Sequence, residues 1–270
     1  MEEFEVRVIN PEEIPLIRDF PPESWHLDIE ALYRFHYGDP YFYPLVSIDG
    51  NEITGTGIAI INEDVAWLGT IIVKETHRNR GIGTLITKKL IRYAESRNCR
   101  KILLTASDMG FPIYIKLGFR ISGNYCFYRG GRIAENPDLN NIRKLEECDY
   151  EAVAAIDLLA TGEVRNKMLY RFLKNGLKYA PEGRIEGFYL PEFGMGLVIA
   201  CNEIAGLELL RYKMLNDASI VAVPDMNRVA TTLLEQDQYR EFMKLPRMYL
   251  NCEAGWHPEM IFSRGSGHTG

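Results

Sequence analysis

The sequence predicts a mixed α/β fold, in which a mostly antiparallel sheet flanked by helices is followed by a second domain of related organisation. Three observations support this prediction. Antiparallel strand signals dominate residues 4–61, a strand, helix, strand unit follows over 67–106, and the order of predicted elements repeats from residue 142. A helical crossover joins parallel strands whereas a tight turn joins antiparallel ones, so we expect both pairings in one sheet.

The composition is that of a globular protein with an acidic balance. The chain has 270 residues, of which 46% are hydrophobic, and a net charge of −6. It is long enough for one large domain or two small ones, and we expect two. The acidic balance offers no general attraction for nucleic acid or an anionic membrane, so we expect neither as a partner. No run reaches the roughly 18 apolar residues of a membrane span, and no signal peptide is evident, so we expect a cytoplasmic protein.

The cysteines show no ligand or disulfide pattern. The five are Cys99, Cys126, Cys148, Cys201 and Cys252. They are odd in number, far apart and without C-x-x-C or Cys/His spacing. We therefore expect reduced thiols and no metal site.

The chain opens with a strand signal over residues 4–9, and the Pro-Glu-Glu of residues 11–13 is typical of a helix start. A pair of helices is expected to follow. Residues 20–42 are rich in aromatic side chains and include His26 and His36. Two interpretations stay open for this segment: the wall of an acceptor pocket, or packing of the helices on the sheet, which we favour for any single residue.

The centre of the first domain is a hairpin followed by a crossover. Strands at 44–48 and 53–61 are predicted to join through the Asp-Gly-Asn turn of residues 49–51. A strand over 67–73 follows, and apolar residues at three- and four-residue spacing predict a helix over 81–97. The apolar run 101–106 predicts a buried strand.

The turn between the strand and the helix of this crossover is rich in glycine. Its sequence is Arg78-Asn79-Arg80-Gly81-Ile82-Gly83-Thr84. A helix start leaves backbone N–H groups unpaired and carries partial positive charge, and glycines let a ligand approach the backbone. Such donors, with Arg78 or Arg80, would hold a pyrophosphate. The spacing is neither Gly-x-Gly-x-x-Gly nor a nucleoside-triphosphate loop. Two glycines that serve helix packing alone are the alternative.

The Arg-x-x-Gly-x-Gly pattern resembles the acetyl-CoA signature of the GCN5-related N-acetyltransferases, the GNAT family. A second motif, Tyr-x-Lys-x-Gly-Phe at residues 114–119, is similar to the fourth helix and following strand of the same family. The two motifs occur in the family's order and separation. Together they cover roughly Val73 to Phe119.

The resemblance implies the GNAT fold, with the strands 67–73 and 101–106 splayed apart and acetyl-CoA as co-substrate. Its pantetheine arm would lie between them and pair with the backbone of Ile71, Ile72 and Val73. The implied contacts to the rest of CoA are Arg78, Asn79, Arg80, Gly81, Ile82, Gly83, Thr84 and Ser107. Ser107 departs from the asparagine that the family commonly has there.

The resemblance further implies direct attack of an amine on the thioester. Tyr114 would act as general acid toward the departing thiolate, since a phenol with a pKa near 10 is protonated at neutral pH. A packing tyrosine is the alternative. The N–H near Val73 would meet the oxyanion. No base is assigned: Asp64 and Glu75 are the nearby carboxylates, and His26 and His36 are alternatives by chemistry alone.

We expect a catalytic domain over 1–136 and a degenerate domain of the same fold, without a CoA loop, over 137–270. Glycines at 130–131 and Asn136-Pro137 mark the hinge. In the second half, the segment Cys201-Asn202-Glu203 precedes a helix without glycine or arginine, and the Glu203 carboxylate would repel phosphate. An unrelated α+β domain is the alternative. The elements expected there are strands at 141–145, 187–190, 196–200 and 219–223, helices at 149–159, 163–174, 202–215 and 227–235, and a closing strand in the tail 248–270.

The expected function is therefore acetyl-CoA-dependent N-acetylation of a primary amine, which we expect to belong to a small molecule. Two alternatives stay open. One is a non-catalytic acyl-CoA sensor, which the missing carboxylate on the strand 67–73 favours. The other is a protein lysine or N-terminal acetyltransferase.

Overall fold

The computed structural model describes residues 4–25, 27–217 and 220–269, and its contacts divide the chain into two compact units. The first unit comprises Met1–Arg120 and Tyr249–Cys252, and the second comprises Ile121–Met248 and Glu253–Gly270. The contacts thus change over at Arg120, before the expected boundary at residue 136. The physical reason is a strand over 120–129, which pairs antiparallel with Val221–Pro224 far along the chain.

The first unit contains a mixed sheet and helices. In chain order its elements are β1 (Glu5–Val8), α1 (Ile29–His36), β2 (Phe42–Asp49), β3 (Glu52–Asn62), β4 (Val65–Val73), α2 (Ile82–Ser96), β5 (Lys101–Thr105) and α3 (Phe111–Lys116). The strand order is β1-β2-β3-β4-β5, with β1 to β4 antiparallel and β5 parallel to β4. The predicted mixed, mostly antiparallel sheet is confirmed. The segment 249–252 joins this unit, where the Cys252 N–H donates to the Arg100 carbonyl at 3.2 Å.

Helix α2 packs closely on β3. Ile86 and Leu90 are fully buried, and a side chain at Gly57 of β3 would begin 2.7 Å from a methyl group of Ile86. Glycine at position 57 therefore allows the helix to approach the sheet. This packing fixes the start of α2 relative to the end of β4.

The segment before β2 differs in detail from the expected pair of helices. Residues Pro11–Ile17 form a 3₁₀ helix, in which Pro15 has no N–H to donate to an α-helical bond. α1 follows, with Tyr33 fully buried and its ring edge-to-face with Phe42 at 5.5 Å. His26 lies outside the described residues.

The second unit repeats the order of strands and helices. Its elements are β6 (Arg120–Arg129), β7 (Ile142–Lys144), α4 (Tyr150–Thr161), α5 (Asn166–Leu169), β8 (Leu177–Tyr179), β9 (Gly187–Leu190), β10 (Leu197–Ala200), α6 (Glu203–Asn216), β11 (Val221–Pro224), α7 (Arg228–Gln236), β12 (Arg240–Asn251, whose last residues belong to the first unit) and β13 (Ile261–Ser263). β6 lies between β12 and β11, and an antiparallel sheet has the order β13-β10-β9-β8-β7. The strand expected from residue 219 begins at Val221, and Ser219 itself lies outside the described part. β13 is the closing strand of the tail. Among the described residues, no helix is long and apolar enough to cross a membrane.

Helix α6 is capped by its own sequence. The Asn202 side chain accepts a hydrogen bond from the Ala205 N–H at 3.0 Å. Because loss of an N-cap side chain typically costs about 1 kcal/mol, we expect Asn202→Ala to lower the free energy of unfolding in a urea titration by about that amount. Asn202→Asp, which keeps an acceptor, should leave it nearly unchanged. Equal stability of the alanine variant and the wild type would contradict this capping role.

Candidate active site

The strands β4 and β5 separate in the middle of the first unit's sheet. Their parallel pairing covers Val65–Leu68 of β4 and Lys101–Leu104 of β5. β4 then continues beside β3 to Val73, so its other edge is open from Gly69 onward among the described residues. This confirms the expected splay of the central strands. It leaves backbone hydrogen-bonding groups available to a ligand.

β4 also contains a bulge that sequence reasoning missed. Thr56 of β3 pairs with Ile72 whereas Ile58 pairs with Gly69, so β4 holds one extra residue between these pairs. Within this stretch Thr70 has a φ of +45°, which is rare for a β-branched residue. No sequence signal marks the bulge, because threonine does not favour this conformation and residues 71–73 are uniformly apolar.

The N–H of Val73 faces the open edge of β4. The next residue, Lys74, donates its N–H to the carbonyl of Thr54 on β3 at 2.8 Å. Because successive residues of a strand point their backbone groups to opposite edges, the N–H and C=O of Val73 point away from β3. Its carbonyl accepts from Arg78 Nε at 3.4 Å. The N–H is directed into the gap between the strands.

The glycine turn brings an uncapped helix start beside this gap. α2 begins at Ile82, and Gly81 before it has a φ of +84° and contributes no side-chain cap. The first intrahelical bond runs from the Leu85 N–H to the Gly81 carbonyl, so the N–H groups of residues 82–84 lack intrahelical partners. A side chain at Gly81 would meet no atom of the described residues within 4 Å. The backbone at this turn is therefore open to an anion.

The two arginines of the turn contact other side chains. Arg78 lies beside β4 and also approaches Glu75 at 3.5 Å. Arg80 donates to Asp49 at 3.2 Å and lies 4.8 Å from the centre of the Phe4 ring. The backbone N–H groups are consequently the donors most directly presented to a phosphate.

Helix α3 carries Tyr114 to the same region. A side chain built on Gly83 would lie 3.5 Å from Ile113 of α3 and 3.7 Å from Val73. The glycine turn, the end of β4 and α3 therefore meet around Gly83. Ser107 lies just before α3, where its hydroxyl accepts a hydrogen bond from the Gly110 N–H at 3.3 Å.

Tyr114 is 7% exposed and packs against Phe119, with the ring centres 5.8 Å apart. A side chain at Gly110 would begin 2.7 Å from the tyrosine ring, so glycine leaves room for it. Burial raises the pKa of Tyr114 to about 12. The phenol is therefore protonated at any pH that an enzyme assay covers.

A cavity of about 540 Å³ opens at the end of β4. Its lining consists of Leu16, Asp19, Phe20, Pro21, Pro22, Val73, Lys74, Glu75, Arg78 and Met109. Lys74 is paired with Glu52 at 2.8 Å and lies over the Phe20 ring. Asp19 is a carboxylate on this cavity that sequence reasoning missed, because it belongs to a segment without a motif.

The other base candidates lie elsewhere or are engaged. Asp64, before the start of β4, pairs with Lys101 at 3.2 Å. His36 is buried with its Nδ1 3.2 Å from the Tyr41 hydroxyl. The His36 ring lies 5.5 Å from that of Phe42 on β2. Phe42 is aligned with Ile60 of β3, which in turn is aligned with Trp67 of β4. At about 3.3 Å per residue, Trp67 is roughly 20 Å along β4 from Val73. His36 is therefore remote from the gap.

Comparison with known proteins finds a family model that matches most of the first unit. Residues 12–119 match the family model described as Acetyltransferase (GNAT) family. The chain is 32% identical to glucosamine 6-phosphate N-acetyltransferase of Trypanosoma brucei brucei over 56 residues, which are 21% of this chain and 38% of that protein. It spans between 38% and 62% of the length of the curated relatives it matches.

Solved structures extend the similarity in fold to the second unit. A Pyrococcus horikoshii protein assigned as an acetyltransferase has a TM-score of 0.84 at 20% identity, over 100% of this chain and 97% of its own. A tandem GNAT protein from the clavulanic acid biosynthesis pathway has a TM-score of 0.64 at 14% identity, over 94% and 99%. The expected two-domain GNAT fold is confirmed. The two sequence motifs, the fold and the family model agree that residues 12–119 are similar to the acetyltransferase (GNAT) family.

Proposed function

We propose that the first unit transfers the acetyl group of acetyl-CoA to a primary amine of a small molecule. The observation that carries this proposal is the open edge of β4, which leads directly to the uncapped first turn of α2. An extended, amide-containing arm with a pyrophosphate at one end matches this surface. The arm can pair with Ile71, Ile72 and Val73 like an added strand, and the phosphates can accept from the N–H groups after Gly81.

The proposed reaction forms a C–N bond and breaks the thioester C–S bond. The neutral amine attacks the thioester carbon, the Val73 N–H stabilises the developing oxyanion, and the departing sulfur takes the Tyr114 proton. The nitrogen releases one proton, and Asp19 and Glu75 on the cavity are carboxylates able to accept it. Transfer of the proton released by the nitrogen to the Tyr114 phenolate restores the phenol for the next turnover. The balance is one amine and one acetyl-CoA consumed, one amide and one free CoA thiol produced.

The raised pKa of Tyr114 determines the pH dependence that we expect for the reaction. Burial disfavours the phenolate, so the proton donor persists below a pH of about 12. We expect kcat/KM for the amine to rise as the amine loses its proton and then to stay level up to pH 10. A fall with an apparent pKa near 10, the ordinary value of a tyrosine, would contradict the assignment of a buried Tyr114 as the acid.

We propose one CoA site per chain, in the first unit. In the second unit, β13 pairs with β10, and the N–H of Arg264 just after β13 donates to Ala222 of β11 at 2.7 Å. The space between β10 and β11, which corresponds to the gap between β4 and β5, is therefore filled by the chain itself. At the start of α6, the Asn202 side chain accepts the hydrogen bond of the Ala205 N–H, a group that a phosphate would otherwise bind. Both observations support a second domain of related fold without a CoA loop.

The deciding experiment is a thiol-release assay with acetyl-CoA against amino sugars, amino acids, polyamines, aminoglycosides and lysine peptides. A calorimetric titration with CoA accompanies it. Binding with turnover of one small-molecule class, at one CoA per chain, is the expected result. Turnover confined to peptides would identify a protein acetyltransferase. Binding without turnover on the whole panel would favour an acyl-CoA sensor, and absence of binding would overturn the proposal.

A further inference from the structure

Two fully buried hydroxyl groups lie behind the bulge of β4. The hydroxyl of Tyr33 on α1 lies 2.6 Å from that of Thr56 on β3, and both residues have no exposed surface. Thr56 donates its own proton to the Leu45 carbonyl at 2.8 Å. Since a hydroxyl has one proton to give, Tyr33 must donate to Thr56. The direction of this pair is thereby determined.

Thr70 completes the cluster from β4. Its hydroxyl oxygen is shielded from solvent and makes no hydrogen bond to another described residue, but it lies near enough to the Tyr33 hydroxyl to counter part of the rise in the pKa of that phenol. On the opposite face of the sheet, Ile71 lies 3.2 Å from the position that a Gly57 side chain would occupy, which is also next to Ile86 of α2. The bulge is thus held between α1 and α2.

The bulge decides which backbone groups reach the open edge of β4. Before it, Gly69 is aligned with Ile58, and after it Ile72 is aligned with Thr56. The extra residue reverses the alternation of N–H directions beyond Thr70. With the bulge, Lys74 bonds to β3 and Val73 faces the gap. In a regular strand Val73 would face β3, and Ile72 and Lys74 would face the gap.

The conformation of Thr70 needs support from its surroundings. A φ of +45° is unfavourable for a β-branched residue, and such strain persists where neighbouring groups hold it. The groups on the α1 side are the hydroxyls of Tyr33 and Thr56. Neither belongs to a motif of the sequence, and neither borders the cavity at the end of β4.

Resting on the proposed function, we propose that Tyr33 and Thr56 are positioning residues for acyl transfer. Their buried hydroxyl pair holds the bulge at Thr70 and so keeps the N–H of Val73 directed at the acyl oxygen.

The test is Tyr33→Phe, with Tyr37→Phe as its matched control. The Tyr37 hydroxyl is at the end of the same helix and donates to the Ile9 carbonyl at 3.1 Å, away from the bulge. We measure kcat and the calorimetric affinities for CoA and for a non-transferable ketone analogue of acetyl-CoA with a methylene between sulfur and acetyl. Tyr33→Phe should lower kcat about tenfold, keep CoA affinity within about twofold and remove the preference for the analogue over CoA. Tyr37→Phe should change none of these.

Two further variants keep the test decisive. Thr56→Val removes the acceptor of the pair at constant shape and should give the same losses. Thr70→Gly in the Tyr33→Phe background should recover most of kcat, because glycine adopts a φ of +45° without strain.

The outcomes separate this inference from the proposed function. Normal kcat and normal analogue preference in Tyr33→Phe, even with a lower melting temperature, would overturn the positioning role alone. A wild type that binds CoA and the analogue equally would also overturn it. A wild type that binds neither would overturn the proposed function, and this inference with it. If the wild type binds CoA and the analogue but shows no turnover, the affinities alone test the positioning role. Tyr33→Phe must then lose the preference for the analogue over CoA, and a retained preference would overturn the role.

Discussion

Tyr114→Phe is expected to lower kcat for acetyl transfer by about 100-fold, the usual contribution of a general acid, while the affinity for CoA stays unchanged. The side chain is buried beside the residues that surround the gap, and in the proposed mechanism its hydroxyl protonates the leaving sulfur. The measurement is thiol release at saturating acetyl-CoA, beside a calorimetric titration with CoA.

The control for this variant is Tyr93→Phe, which should retain full activity. Tyr93 is on α2, and its ring stacks on that of Tyr43 with the ring centres 3.4 Å apart. Within the described part of the chain, the Tyr114 hydroxyl has no hydrogen-bond partner, so its removal should not lower the melting temperature. Full turnover by Tyr114→Phe would show that this residue only packs. A combined loss of CoA affinity and kcat would instead indicate a displaced α3.

The elements that sequence reasoning predicted correctly are those whose signal is local. The start of α2 at Gly81 and Ile82 follows from glycines placed before a helical pattern, and the hairpin between β2 and β3 follows from its turn residues. The splay of β4 from β5 followed from the family resemblance, and the structure confirms it. The roles of the site residues, Tyr114 included, remain proposals.

The features that sequence reasoning missed depend on contacts between distant parts of the chain. Strand β6 (Arg120–Arg129) pairs with Val221–Pro224, a partner so far along the chain that no local signal points to it. The φ of Thr70 is unfavourable for its residue type, so no propensity could have predicted it. Asp19 lines the cavity and follows the 3₁₀ helix Pro11–Ile17. This segment contains Pro15 and takes the place of one of the expected helices.

Gly81→Val is expected to weaken CoA binding by about 100-fold, as lost charge-assisted hydrogen bonds of about 1.5–3 kcal/mol each imply. At a φ of +84° valine is strained, and its side chain would occupy the open space through which a phosphate approaches the N–H groups. Calorimetric titration with CoA measures the loss. The control is Gly38→Val, since Gly38 has a φ of +90° and equally open surroundings but lies after α1.

Gly83→Ala separates the effect on the ligand from the effect on the fold. The added methyl would lie 3.5 Å from Ile113 and 3.7 Å from Val73, which are ordinary contacts, and Ala is the better helix former. Stability should therefore stay equal or rise, while CoA affinity falls about tenfold because the methyl lies where the ligand meets the backbone. If Gly81→Val and Gly38→Val lose stability alike but only the former loses CoA affinity, the turn binds phosphate. Unchanged affinity in both Gly81→Val and Gly83→Ala would leave the two glycines with a role in packing alone.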